Sequence, residues 1–226
     1  MAEWDFESGE MILIDKPYTW TSFDVVKKIR NALKIKKIGH AGTLDPLATG
    51  LLILCTGKMT RKIEDYMAQE KGYKGKMVIG KTTPSIDLET EIDSETDISA
   101  ITTQQIYNTI PQFLDEIEQI PPIYSAIKVE GERVYKKART GQEVEIQPRK
   151  VFIKEFSITK IIFPELHFQV VCSKGTYIRS LVRDFGQALG VGAYMSELRR
   201  THIGNYSVED AYAIDDFVSK VKVQQK

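Results

Sequence analysis

Apolar positions recur along this chain in two periods, and the switches between them predict a succession of short strands and amphipathic helices. Met11-Ile12-Leu13-Ile14 reads as a strand closed by Asp15-Lys16-Pro17. Thr21-x-x-Asp24 has the form of a capping box, opening a helix with Phe23, Val26, Ile29 or Arg30, and Leu33 on its apolar face. Leu51 to Cys55 is a strand, and Lys58 to Met67 a helix. From Tyr73 to Gly80 the side chains alternate, Tyr73, Met77 and Ile79 to one side, Lys74 and Lys76 to the other. Thr82 to Asp97 is acidic, contains Pro and Ser, and reads as an exposed connection; Thr102 to Ile110 reads as a helix. Val151 to Lys160 and Leu166 to Ser173 are strands, the second with Leu166, Phe168, Val170 and Cys172 on one face. A helix follows, with Ile178, Leu181, Val182, Phe185 and Leu189 inward and Gly190 as its stop, and a last helix covers Val208 to Val221.

Composition narrows the class. At 226 residues, 42% hydrophobic and 27% charged, the chain is an ordinary globular protein able to bury a full core. Cys55 and Cys172 both sit in apolar runs and read as small buried hydrophobes of a reducing compartment. The acidic start, Met1 to Glu10, lacks an apolar signal core, and no apolar run approaches membrane-spanning length, so a cytoplasmic protein is expected. Net charge is zero, but it is segregated. Lys27 to Lys37 holds six Lys or Arg and no acid, whereas Thr82 to Ile127 holds nine acids and no Lys or Arg. Such segregation creates local fields although the total vanishes.

Most catalytic constellations are missing. His40, His167, His202 and the two cysteines lack metal-ligand spacing, and no nucleophile elbow or dinucleotide fingerprint is present. Gly57-Lys58 fails as a phosphate loop because Leu52 and Met59 stand where Gly and Ser or Thr are needed. What remains is Gly39-His40-Ala41-Gly42-Thr43-Leu44-Asp45-Pro46-Leu47-Ala48-Thr49-Gly50, a loop that three glycines and a proline bar from regular helix. Its one carboxylate, Asp45, stands among Leu44, Pro46 and Leu47, where desolvation favours a cationic partner. On residue types alone, an Asp capping its own turn is the favoured reading.

G-H-x-G-x-L-D-P-x-A-x-G closely resembles the signature of the TruB family of tRNA pseudouridine synthases, and the likeness extends from about Glu10 to Val208. Lys16-Pro17, Trp20-Thr21-Ser22, Ser173-Lys174-Gly175-Thr176-Tyr177-Ile178-Arg179 and Glu197-Leu198-Arg199-Arg200 belong to it. The resemblance implies an α+β pseudouridine-synthase catalytic fold, with a mixed, mainly antiparallel sheet flanked by helices and loops. It implies a single domain over residues 1–226, with 1–9 a flexible tail and 118–147 an inserted RNA-binding thumb. That thumb contains Lys128, Arg133, Tyr135, Lys136, Lys137 and Arg139; on composition the same stretch suits an amphipathic helix after a Pro-Pro turn. The implied reaction isomerises the T-loop uridine, U55, of tRNA, with Asp45 as nucleophile, Arg179 holding it ionised, and Tyr73 stacking on the base and assisting proton removal. Tyr177 and Leu198 would line the uracil pocket, His40 would contact the T-loop, and Lys174 would help bind substrate. No cofactor, metal or membrane is expected, and the protein is expected to act as a monomer on the tRNA T-arm.

Most of the family carries a C-terminal PUA domain, for which the chain after Val208 is too short; the resemblance is therefore to a short bacterial form. Two other readings stand beside it: a guide-dependent rRNA pseudouridine synthase, and an RNA-folding chaperone that binds the tRNA elbow with catalysis incidental.

Overall fold

The computed structural model describes residues 4–124, 128–129, 132–133 and 146–224. In chain order the elements are β1 (Met11–Lys16), α1 (Ser22–Leu33), β2 (Ile38–His40), β3 (Ala48–Thr56), a 3-10 turn (Gly57–Lys62), α2 (Ile63–Ala68) and β4 (Lys71–Ile79). Then follow β5 (Lys81–Thr82), β6 (Ser94–Glu95), α3 (Thr103–Thr109), β7 (Asp115–Gln119), β8 (Lys128–Val129) and β9 (Glu132–Arg133). The chain continues through β10 (Arg149–Ile162), β11 (Glu165–Cys172), α4 (Ile178–Ala188), β12 (Ala193–Ile203), β13 (Tyr206–Ser207), β14 (Tyr212–Ala213) and α5 (Ile214–Gln224). It divides into two compact units, Met1–Lys74 with Leu198–Lys226, and Gly75–Glu197. The chain thus passes from one unit to the other within β4 and returns within β12.

In the first unit the strands run in the order β14-β1-β3-β12. β1 lies antiparallel on one edge of β3, from Met11 opposite Cys55 to Lys16 opposite Gly50. The other edge of β3 is shared. β2 pairs with residues 54–56, β12 pairs in parallel with residues 48–50, and a gap is left between them. β3 is apolar from Leu51 to Cys55 because that stretch is covered on both faces. Leu52 and Leu54 pack with α1 and α5, while Leu51, Ile53 and Cys55 pack with Tyr66, Ile203 and Val208.

α1 starts where its capping box directs: Thr21 Oγ1 accepts from the Asp24 N–H, and the Asp24 carboxylate accepts from the Thr21 N–H. Its inward stripe is Ser22, Val25, Val26, Ile29 and Leu33. Phe23, expected inside, is 64% exposed, because it lies one residue, about 100° of helix, away from that stripe.

Residues 1–9 were expected as a free tail. From Trp4 onward the structure corrects this: Trp4 and Phe6 pack on Phe217 at 5.4 and 6.1 Å, and Ser8 O accepts from the Lys58 N–H. Two aromatic rings among Asp5, Glu7 and Ser8 are enough to anchor the segment. The last helix begins at Ile214, six residues later than its apolar pattern suggests, since a 3-10 turn and β14 take residues 208–213.

In the second unit β4, β11, β10 and β7 are neighbours in that order, and β10 is antiparallel to both β11 and β7. Phe113, Phe156, Phe168 and Phe185 form an aromatic core with ring centroids 5.5–6.4 Å apart. The acidic connection is only partly exposed: Thr83, Ser85, Ile86 and Asp87 are buried, and the Thr83 and Ser85 hydroxyls both donate to the Asp87 carbonyl. Of the thumb segment 118–147, residues 125–127, 130–131 and 134–145 lie outside the described residues. The described part contains the short antiparallel pair β8–β9 where composition suited a helix.

Candidate active site

The loop from Ala41 to Leu47 leaves β3's shared edge through the gap between β2 and β12. Carbonyls facing such a gap need partners. The Ala41 N–H donates to Ile53 O at 2.9 Å, and Arg200 Nε donates to Leu51 O at 2.7 Å. The same guanidinium donates through Nη2 to Gly42 O at 3.1 Å. Arg200 is 1% exposed, so one buried side chain ties the end of β3's gap to the start of the loop. Gly42 takes φ +88°, a conformation that favours glycine.

Two further side chains hold the loop near Asp45. Ser22, a hydroxyl on the apolar stripe of α1, accepts from the Leu44 N–H at 2.9 Å and donates to Leu44 O at 3.2 Å. Lys16, fully buried at the end of β1, donates to the carbonyls of Pro17, Trp20 and Pro46 at 3.0, 2.6 and 3.3 Å. Burial pushes the Lys16 ammonium down to about 8; the Asp45 charge opposes that shift and Arg200 adds to it. Asp45, half-buried between the pinned residues Leu44 and Pro46, therefore sits in the field of a buried cation.

Leu198, Tyr73 and His40 are the other candidates of the first unit. Leu198, 7% exposed, stands opposite Ala48 in the β3–β12 pair, three residues after Asp45. Tyr73, 8% exposed, is on β4, which lies against β12: a Cβ on Gly72 would meet the His202 ring at 1.9 Å. His40 ends β2, and burial lowers its pKa, keeping the imidazole neutral. Its Nδ1 is buried and has no hydrogen-bond partner among the described residues.

Lys174, Tyr177 and Arg179 belong to the second unit. Lys174 is exposed on the turn that ends β11, where Gly175 takes φ +83°. The Tyr177 N–H donates to Gln119 Oε1 at 2.7 Å, and the Arg149 guanidinium lies over its ring, 4.5 Å from the centroid. Arg149 and Gln119 are cross-strand partners on β10 and β7. Arg179 is 4% exposed, donating to Ser85 O at 3.0 Å and Tyr124 O at 2.8 Å, with the Asp87 carboxylate at 3.6 Å.

Reading the chain by residue type passed over Lys16, Ser22 and Arg200 around the loop, and Asp87, Gln119 and Arg149 around Tyr177 and Arg179. Lys16 and Arg200 do stand in family-like words, and Ser22 is a hydroxyl on an apolar helix face. Asp87 was hidden among acids that look solvated.

The chain can now be set beside known proteins. Residues 30–178 match the TruB family pseudouridylate synthase N-terminal domain, and residues 179–226 the tRNA pseudouridylate synthase B C-terminal domain. The tRNA pseudouridine synthase B of Flavobacterium johnsoniae is 52% identical over 224 residues, covering 96% of this chain and 98% of that protein. That of Clostridium tetani is 45% identical over 215 residues, covering 95% of this chain and 74% of that protein. Among solved structures, a chain of a Cbf5-Nop10-Gar1 complex matches with a TM-score of 0.75 at 30% identity, over 98% of this chain. This chain spans 56% of the length of that one. The fold is that of a pseudouridine synthase, an isomerase. Within that class the chain belongs to the TruB family.

Proposed function

We propose that this protein converts the T-loop uridine, U55, of tRNA to pseudouridine, with Asp45 as nucleophile and the target base swung out of its stack. The observation that carries the reading is the Asp45 loop: a half-buried carboxylate on backbone clamped by Ser22, Lys16 and Arg200, in the field of a buried ammonium. A catalytic group needs such pre-organisation, since a small misplacement is costly in rate. The names of the relatives support tRNA as the substrate.

The reaction breaks the C1′–N1 bond, turns the base and joins C1′ to C5; the C5 proton leaves and N1 gains one. An ionised carboxylate serves it by attacking covalently or by stabilising an oxocarbenium-like sugar. The remaining roles follow from family resemblance. Tyr73 stacks on the base and assists proton removal, Tyr177 and Leu198 line the uracil, His40 meets the T-loop, Lys174 binds substrate, and Arg179 keeps the nucleophile ionised.

Incubating the purified protein with an unmodified tRNA transcript and mapping pseudouridine tests the proposal. One modified position, in the T-loop, is expected. Asp45→Asn should bind the transcript as tightly as the parent protein while the rate falls to below about one-thousandth, the scale expected for loss of a nucleophile. Undiminished product from Asp45→Asn would refute the assignment. An RNA-folding effect that survives in Asp45→Asn marks the chaperone reading as a separate activity.

A further inference from the structure

α1 carries a second stripe that its core contacts do not use. Asp24, Lys27, Lys28 and Asn31 follow at spacings of three, one and three, so they share the solvent face opposite Val25, Ile29 and Leu33. With the Thr19–Trp20 turn this stripe lines a groove of about 440 Å³, within the roughly 300–1,000 Å³ usual for ligand sites. One wall is aromatic and the other carries two ammonium groups. The acid among them is already engaged, its carboxylate accepting from both the N–H and the hydroxyl of Thr21. Thr19 takes φ +70°, a left-handed conformation rarely adopted by a β-branched residue.

We infer that this groove is a second nucleotide subsite for the substrate RNA strand, with a base stacked on Trp20 and its phosphates held by Lys27 and Lys28. An aromatic face beside cations is the pairing that single-stranded RNA recognises, since every base offers a π-face and every linkage a charge. The groove is also tied to the catalytic loop. Lys16 Nζ donates to Trp20 O and to Pro46 O, so one buried ammonium sets the offset between the aromatic wall and Asp45. A nucleotide seated there lies at a fixed distance along the strand from the base presented to Asp45. The inference rests on the reading of the chain as an enzyme acting on RNA.

The sequence contains two tryptophans, so Trp4→Phe leaves Trp20 as the single reporter. Unmodified tRNA transcript is titrated into this variant, with binding followed separately by filter retention and pseudouridine measured in parallel. Trp20 emission should be quenched, and its acrylamide accessibility should fall, over the RNA concentrations that saturate retention. Trp20→Ala should weaken binding about tenfold, the scale of one lost stacking contact. In the Trp4-containing protein, the Lys27→Gln, Lys28→Gln double variant should reduce the log–log salt slope of binding by about 1.5, as expected for two lost phosphate contacts. Retained RNA with unmoved Trp20 emission, or an unchanged salt slope in the double variant, overturns the subsite. Product formed with Trp20 unmoved leaves the catalytic reading standing, while Trp20 quenched with no product leaves the subsite standing and removes the catalytic reading.

Discussion

The residues that matter most here are buried cations, and each acts through backbone carbonyls. Arg200 spans Leu51 O and Gly42 O, a reach that a planar fork has and a single ammonium lacks. Arg200→Met removes two charge-assisted bonds from a buried site and should cost about 2–5 kcal/mol in a urea titration. Arg200→Lys should recover only part of it, with isomerisation falling in both variants because the Gly42 end of the loop is released. Lys16 offers a pH test. Its pKa is about 8 in the folded protein against an ordinary 10.5, so between those values the unfolded chain binds more protons than the folded one. Stability relative to Lys16→Met should therefore rise as pH climbs from about 8 to 10.5 and be flat below that window. A difference that declines across this range contradicts a buried, charged Lys16.

At the level of elements, β3 is the frame. It is covered on both faces, paired with β1 along one edge, and interrupted on the other, where the Asp45 loop emerges. Gly50 makes the parallel junction with β12 possible: its φ is +104°, and a Cβ there would lie 2.2 Å from Arg200 O. Gly50→Ala should push the two strands apart, lowering the denaturation midpoint by the equivalent of more than about 3 kcal/mol, through backbone strain and a clash against main chain. Glycine was readable in the sequence as loop punctuation. Its role as a close-approach point between strands 150 residues apart was not, because nothing local marks which backbone comes near. The apolar run of β3 and the capping box at Thr21 were readable, since the pattern of Leu51–Leu54 and the Thr21-x-x-Asp24 spacing are both set by consecutive residues. The packing of Trp4 and Phe6 and the burial of Ser85 and Asp87 were not, as polar flanks concealed them.

The molecule as a whole has no net charge, so affinity for RNA must come from local fields. Lys27 to Lys37 supplies six cations without an acid. Extruding a base costs roughly a few kcal/mol and stacking on one aromatic returns about 1–3 kcal/mol, which leaves phosphate contacts to provide the net binding. Affinity for the transcript should fall steeply with salt. A dissociation constant that stays level over a fourfold salt range in filter retention counts against phosphate-led binding.

Linear order was sufficient for the α+β mixture, the buried strand at Leu51, the helix caps, and the one carboxylate in a loop that cannot be helical. These follow from side-chain period and from glycine and proline chemistry, which act between near neighbours. Folding alone decided which cations surround that carboxylate and what each one holds. Lys16, Ser22 and Arg200 lie 29, 23 and 155 residues from Asp45, and they meet its loop because β1 on one edge of β3, α1 on one face and β12 on the interrupted edge bring them to it. Unpaired carbonyls at that edge must find donors, and only the three-dimensional arrangement determines which side chains reach them.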